Sequence, residues 1–222
     1  MKDNFIHVAF VIDSSGSMYR SISDVIGGFN KTIAEQKNVE KGECAISLFT
    51  FNGNVEEHYL GKDINDIDNF NYCPNGMTAL YDGVGQAIDK IGKWLSNMDE
   101  SERPSKNLIV IMTDGAENSS KEYTSNQVKD MIKHQEEVYD WSFVYMGTDL
   151  TNINDAKDLG IRMSSVSSRK DLGNSYDIIN SVTSCYRSAL SVEAAAATMD
   201  WLQTECENVT TKYEVENNVK LS

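Results

Sequence analysis

Apolar and polar positions divide this chain into elements before any motif is considered. Residues 5–12 (Phe-Ile-His-Val-Ala-Phe-Val-Ile) form a continuous run rich in β-branched side chains, as expected of a strand buried on both faces. Ile22, Val25, Ile26, Phe29 and Ile33 then recur at helical spacing and predict an amphipathic helix over about 21–36, with Gly27 and Gly28 as its weak points. Residues 44–51 read as a second strand, Asn52-Gly53 as a two-residue hairpin turn, and 54–60 as an antiparallel edge strand whose Glu56, Glu57 and His58 suit exposure. Residues 61–75 are polar and turn-rich and read as a solvated loop or short helix. Their Asp63, Asp66 and Asp68 fail the EF-hand pattern, because Asp68 and Pro74 stand where a Gly and a Glu are required.

Leu80, Val84, Ala87, Ile88, Ile91 and Leu95 mark one face of the next helix, and a polar loop containing Pro104 follows. Residues 107–113 are the most continuous apolar run and read as a central strand. Thr124-x-x-Gln127 is a capping-box signature that opens a helix through Val128, Met131, Ile132 and Gln135. Residues 141–146 predict another strand, 152–159 a short helix and 161–163 a short strand. From about 170 to 208 the spacing is helical, with Leu172, Tyr176, Ile179, Val182, Tyr186 and Leu190 on one stripe and Leu202 in a later segment; 209–222 reads as a frayed polar tail. The order predicts an α/β fold: a doubly wound, mostly parallel six-stranded sheet with one antiparallel edge strand, helices on both faces, and a C-terminal helical extension. The expected division is 1–188 for the domain and 189–222 for the extension and tail.

Charge narrows the function classes. The chain has 222 residues, 34 acidic against 20 basic, and a net charge of -14, which argues against binding a nucleic-acid backbone or an anionic membrane surface. Cys44, Cys73, Cys185 and Cys206 form no C-x-x-C pair and suit neither a zinc site nor a disulfide scaffold, and Cys73 reads as a small, at least half-buried residue. No secretory pattern opens the chain and no apolar stretch approaches the roughly 18 residues of a membrane span, so a cytoplasmic protein is expected.

Candidate chemistry lies where strands hand over to helices. Asp13-Ser14-Ser15-Gly16-Ser17 follows the first strand, Thr78 precedes a helix, and Asp114 ends the central strand. In an open α/β sheet, ligands bind outside the carboxyl ends of the strands, where the first and fourth strands can lie side by side. Asp13 and Asp114 would then share one site and repel each other unless a cation neutralised them. Hydroxyls and carboxylates are hard oxygen ligands, suited to Mg²⁺ held through few carboxylates and several waters. Taken alone, the first turn is consistent with a helix cap, the start of a phosphotransferase or a metal site. Asp82 reads as a capping or surface group, Glu117 and Asp149 as loop carboxylates near the same edge, and His7 as a satisfied core histidine.

Asp13-x-Ser15-x-Ser17, Thr78 within Gly-Met-Thr-Ala-Leu-Tyr-Asp, and Thr113-Asp114-Gly115 together resemble the three parts of the metal-ion-dependent adhesion site of von Willebrand factor A (VWA) domains. The resemblance covers roughly residues 4–186 and implies a Rossmann-like VWA fold. It implies that Ser15 and Ser17 ligate the metal directly, Thr78 directly or through water, and Asp13 and Asp114 mainly through waters. Mg²⁺ is the expected ion, with Mn²⁺ or Ca²⁺ as alternatives, and a vacant position would accept an Asp or Glu carboxylate of a partner protein. Stand-alone intracellular members from bacteria and their phages are similar in size and layout. The leading expectation is thus a metal-dependent protein-interaction module and not an enzyme. A phosphohydrolase-like enzyme is the first alternative, weakened because Ser15 stands where dehalogenase-type phosphotransferases need a second aspartate. The other is a scaffold acting through its C-terminal helices.

Overall fold

The computed structural model describes residues 1–147, 150–161, 163–166, 172–188 and 192–217. In chain order they form β1 (Lys2–Asp13), α1 (Ile22–Lys37), β2 (Glu43–Phe51), β3 (Val55–Asp63), α2 (Leu80–Ser96), β4 (Pro104–Thr113), α3 (Ser125–Tyr139), β5 (Trp141–Gly147), α4 (Leu150–Asp158), β6 (Met163–Val166), α5 (Leu172–Ser188) and α6 (Val192–Asn217). The sheet order is β3-β2-β1-β4-β5-β6, parallel throughout except for the β2–β3 pair. Of the six expected strands, five are substantial; β6 adds four residues at the edge beyond β5.

Period-two alternation explains why β1 is apolar on both faces from Val8 to Ile12. Ile6, Val8, Phe10 and Ile12 pack into one core with Val25 and Phe29 of α1 and Tyr176, Ile179 and Val182 of α5. Ala9 and Val11 point the other way, into a second core with Leu80, Val84 and Ile88 of α2 and Val128 and Ile132 of α3. β4 repeats the division, with Leu108, Val110 and Met112 on the first face and Ile109 and Ile111 on the second. A parallel sheet covered on both faces has no polar side, so periodicity alone could not orient it.

Several local expectations change. The edge strand runs on to Asp63, and the polar stretch behind it is anchored by buried Ile64, Ile67 and Phe70. Gly28 is the seat of the Tyr176 ring: a Cβ there would come within 2.1 Å of it, so the glycine lets α1 and α5 approach closely. The C-terminal segment remains helical through Asn217, and its Leu202 and Cys206 are fully buried in the first core, with Val209 packed against it. The expected tail from 209 is therefore largely helix. Leu190 lies outside the described residues. No helix among the described residues is long and apolar enough to cross a membrane.

Two polar devices are buried within this frame. Arg187, near the end of α5, reaches the C-terminal end of α1, where its guanidinium donates to the backbone carbonyls of Gln36, Val39 (3.1 Å) and Gly42 (3.0 Å). A buried cation is thereby balanced by the negative end of a helix. His7 is fully buried, with Nδ1 3.2 Å from Asn107 Oδ1 and Nε2 2.8 Å from Ser47 Oγ. Asn107 Oδ1 can only accept, so Nδ1 carries the proton toward it and Nε2 accepts from the Ser47 hydroxyl, whose oxygen also accepts from Gly61 N. Burial lowers the His7 pKa to about 4, against the opposing pull of the Asn107 hydrogen bond. Because the folded pKa lies below the unfolded value of 6.5, the unfolded chain binds the extra proton between them. Stability from a neutral His7 is then full above pH 6.5 and falls, by up to about 3 kcal/mol, as pH drops toward 4. Urea unfolding of wild type and His7→Gln across pH 7.5–4 should show the wild-type advantage shrinking in that window. A pH-independent difference would contradict a buried neutral imidazole.

Candidate metal site

The site is assembled at the carboxyl ends of β1 and β4, which are neighbours in the sheet. Asp13, the last residue of β1, is fully buried and held at both oxygens. Its Oδ1 accepts from Ser15 N at 2.6 Å and its Oδ2 from Thr113 Oγ1 at 2.6 Å. Burial raises its pKa to about 6, these hydrogen bonds oppose that shift, and the nearby Asp114 charge adds to it. Ser15 Oγ lies 3.0 Å from Ser17 Oγ. Ser15, Thr78 and Asp114 are buried, whereas Ser17 is exposed at the mouth.

Backbone contacts bring the loops together. Ser14 N donates to Phe51 O, Asn75 N to Ser14 O, Gly16 N to Gly76 O and Ala79 N to Asn52 O, at 2.7–3.1 Å. The first turn, the hairpin and the loop before α2 therefore form one rim. Gly115 gives the clearest measure of convergence. A Cβ built on it would lie 3.1 Å from Thr78 Oγ1, 3.2 Å from Ser17 Oγ and 3.7 Å from Asp13 Oδ2. Oxygens from three separate loops thus face one small space, which glycine alone leaves open. The donor set is two carboxylates and three hydroxyls, which suits a hard divalent ion. Among the described residues no group of three or more His, Cys, Asp or Glu side chains is placed to hold a metal, so a site of that richer type is not present among them.

A strap of residues following Asp114 fixes Thr78, and here side chains carry more than the sequence indicated. Asn118 Oδ1 accepts from Thr78 N (2.9 Å), while Asn118 N and Ser119 N both donate to Thr78 O (3.0 and 3.2 Å). Glu117 is no idle loop carboxylate: it accepts from Ser119 N, Ser120 N, Ser120 Oγ and Tyr81 N. Asp82 is buried, and it receives the backbone N–H groups of Lys121, Glu122 and Tyr123 at 2.8–2.9 Å, so it anchors the strap and is not a surface group. Tyr123 then lies against Gly85 and donates to Asp89 at 2.7 Å. Asp82, Gly85 and Asp89 occupy one face of α2 at helical spacing, the signal by which the strap could have been foreseen.

One further expectation changes. Cys73 is exposed and not half-buried. Tyr72 carried no expectation, and its hydroxyl is buried. Burial raises its pKa, and the Asp13 and Asp114 carboxylates add to the rise. Asp149 lies outside the described residues.

The sequence profile of the von Willebrand factor type A domain matches residues 7–179, well over half of the chain. Solved structures agree on the fold. The pilus adhesin SpaC of Lactobacillus rhamnosus GG aligns with a TM-score of 0.63 at 12% identity, covering 83% of this chain and 30% of that one. The PilB minor pilin of Streptococcus sanguinis aligns at 0.57 and 12% identity, covering 81% and 61%. Proximal thread matrix protein 1 from the mussel byssus, solved with a zinc-occupied MIDAS motif, aligns at 0.55 and 15% identity, covering 82% and 47%. The chain spans less than two thirds of the length of each of these proteins. The chain belongs to the von Willebrand factor type A domain family, whose members commonly mediate metal-dependent protein interactions.

Proposed function

We propose that Asp13, Ser15, Ser17, Thr78 and Asp114 hold a divalent cation, Mg²⁺ with Mn²⁺ or Ca²⁺ as alternatives, and that this cation captures an Asp or Glu carboxylate of a partner protein. The observation that carries the reading is the convergence of Thr78 Oγ1, Ser17 Oγ and Asp13 Oδ2 on the space beside Gly115. When bound, the ion supplies a positive centre that relieves the repulsion of two carboxylates and leaves coordination for an outside oxygen. The chain's own contribution is positioning. Thr113 and Ser15 pin the Asp13 carboxylate, Asn118 fixes the backbone of Thr78, and Ser17 stands at the open side where a partner can approach. The zinc-occupied MIDAS motif of the byssus protein, which shares this fold, supports a metal-binding role.

The test uses Gly115→Ala, which keeps all five oxygen side chains and places a methyl group in the space they face. Isothermal titration with Mg²⁺ and Mn²⁺ should show affinity reduced at least about tenfold, the lower end of the effect of disturbing the surroundings of a metal site. Equal affinity in wild type and variant would overturn the site assignment. Affinity capture with and without EDTA tests the second half of the proposal. A partner retained equally in both would show that the cation is not the contact.

A further inference from the structure

The rim of the candidate metal site carries a chemistry that the proposed function does not use. The chain contains two Asn-Gly pairs, Asn52-Gly53 and Asn75-Gly76, and the fold brings both to this rim. Asn52 Nδ2 donates to Asn75 Oδ1 at 3.3 Å, which joins the hairpin loop between β2 and β3 to the segment that leads to Thr78. Asn52 also meets that segment through its backbone, because its carbonyl accepts from Ala79 N at 2.7 Å. Asparagine is a thermally labile side chain. A following glycine exposes it most, since no Cβ shields the next nitrogen and the backbone is free to bring that nitrogen against the side-chain carbonyl carbon.

Local contacts single out Asn52. Its Oδ1 accepts from Asn54 N at 3.0 Å, so the oxygen that must take up negative charge when Cγ is attacked already faces a donor. Gly53, partly exposed in the hairpin loop, makes no hydrogen bond through its N–H or its C=O among the described residues, which leaves its nitrogen free to attack. Asn75 is held differently. Its Nδ2 donates back to Cys73 O at 3.1 Å, its N–H donates to Ser14 O at 2.8 Å, and Gly76 O accepts from Gly16 N at 3.1 Å, so this pair is pinned on both sides. Asn118-Ser119, also beside the site, is closed to the same chemistry because Ser119 N donates to Thr78 O and to Glu117 Oε1.

We infer that Asn52-Gly53 is a self-modification site whose only co-reactant is water. Gly53 N forms a bond to Asn52 Cγ, and the Cγ–Nδ2 bond breaks. The departing nitrogen takes up the proton that Gly53 N loses and leaves as ammonia. Water then opens the cyclic imide at one of its two carbonyl carbons, giving its hydroxyl to that carbon and its proton to Gly53 N. Opening at Cγ leaves an aspartyl residue at position 52. Opening at the backbone carbonyl leaves an isoaspartyl residue, whose main chain runs through Cγ. Either product adds a negative charge to the rim at neutral pH. The isoaspartyl product also lengthens the main chain by a methylene and turns the former backbone carbonyl into a free carboxylate. The acceptor of Ala79 N is thereby displaced, and the rim loosens beside Thr78. The effect reaches the cation only through the ligand role proposed above for Thr78, and on that reading the modified protein holds Mg²⁺ more weakly.

The test is peptide mapping by mass spectrometry of the full chain held at mildly alkaline pH, folded and in urea. Position 52 should convert to two products of equal mass, separable by chromatography, each heavier than asparagine by the exchange of an amino group for a hydroxyl. In the folded protein Asn52 should convert at least about tenfold faster than Asn75, roughly 1.4 kcal/mol in the barrier, and in urea the two rates should converge. Gly53→Ala should slow conversion at Asn52 by a similar factor. A Cβ at Gly53 meets nothing within 4 Å, so this substitution spares the fold. Hydrogen exchange followed by NMR without metal should show Ala79 N exchanging at least about fivefold faster in converted than in fresh wild type, through loss of one hydrogen bond, and unchanged in Gly53→Ala treated alike. Conversion at Asn75 as fast as at Asn52 in the folded chain, conversion of Asn52 in urea alone, or unchanged exchange at Ala79 after conversion would each overturn the inference. Mg²⁺ titration of fresh and converted protein tests the link to the cation: weaker binding after conversion supports it, and equal binding overturns it. Failure of the fresh protein to bind Mg²⁺ would count against the cation site, while the masses at position 52 and the exchange at Ala79 would still decide the modification.

Discussion

Asp13→Asn is expected to separate cation binding from folding. The wild-type carboxyl is fully buried, and its pKa is raised to about 6 by burial foremost, with the Asp114 charge adding. A folded pKa above the unfolded one means that the ionised group costs stability at neutral pH. The amide removes that charge and fits its surroundings. Its oxygen can still accept from Ser15 N, while Thr113 Oγ1 can turn its proton from position 13 to Gly115 O, 3.0 Å away. The metal-free variant should therefore gain about 1 kcal/mol, or roughly 2–4 °C in Tm for a chain of this size. The wild type should instead gain from Mg²⁺, by about 2.7 kcal/mol at a hundred times Kd, and the variant should lose that response. Thermal unfolding of both proteins, with EDTA and with excess Mg²⁺, gives all four values. A variant that is less stable without metal yet keeps the Mg²⁺ shift would show that Asp13 serves the fold and not the ion.

The pairing of cost without metal and gain with it also explains which parts of the site could be read in advance. That Asp13, Ser17 and Thr78 come together was legible because strand ends and turns are marked by abrupt changes in side-chain character, and because oxygen ligands have a narrow chemistry. The devices that hold them were not. Asn118 acts through its side chain on the backbone of Thr78, forty positions away, and Asp82 receives N–H groups from residues 121–123. Such contacts depend on which loops the fold makes adjacent. The main body of the sheet was legible for a similar reason, since continuous apolar runs in 5–12 and 107–113 require burial on both faces. Gly28 was misread because helix propensity is local, whereas its function is to receive Tyr176 from α5, 148 positions later. The stretch 209–217 was misread because Val209 is an isolated apolar position at the start of a polar run, although it follows the core residues Leu202 and Cys206 at a helical spacing of four and three.

Leu202→Ala should be among the most destabilising single substitutions in the chain, at about 2–5 kcal/mol. Leu202 is 0% exposed on α6, within the same core as Phe10, Phe29 and Tyr176, and truncating it leaves a cavity in a close-packed layer. Its neighbour Trp201 is larger but 39% exposed, so Trp201→Ala should cost far less. The contrast matters because the matched family profile ends at residue 179, thirteen residues before α6 begins at Val192. If α6 were an appendage that worked only by meeting a partner, both substitutions would leave domain stability unchanged and Trp201→Ala would weaken the partner contact more. If α6 completes the core, Leu202→Ala lowers the urea midpoint of the whole domain in one transition, with Cys206→Ala acting in the same direction. The helix then closes the first core at the β6 edge of the sheet, beside α5.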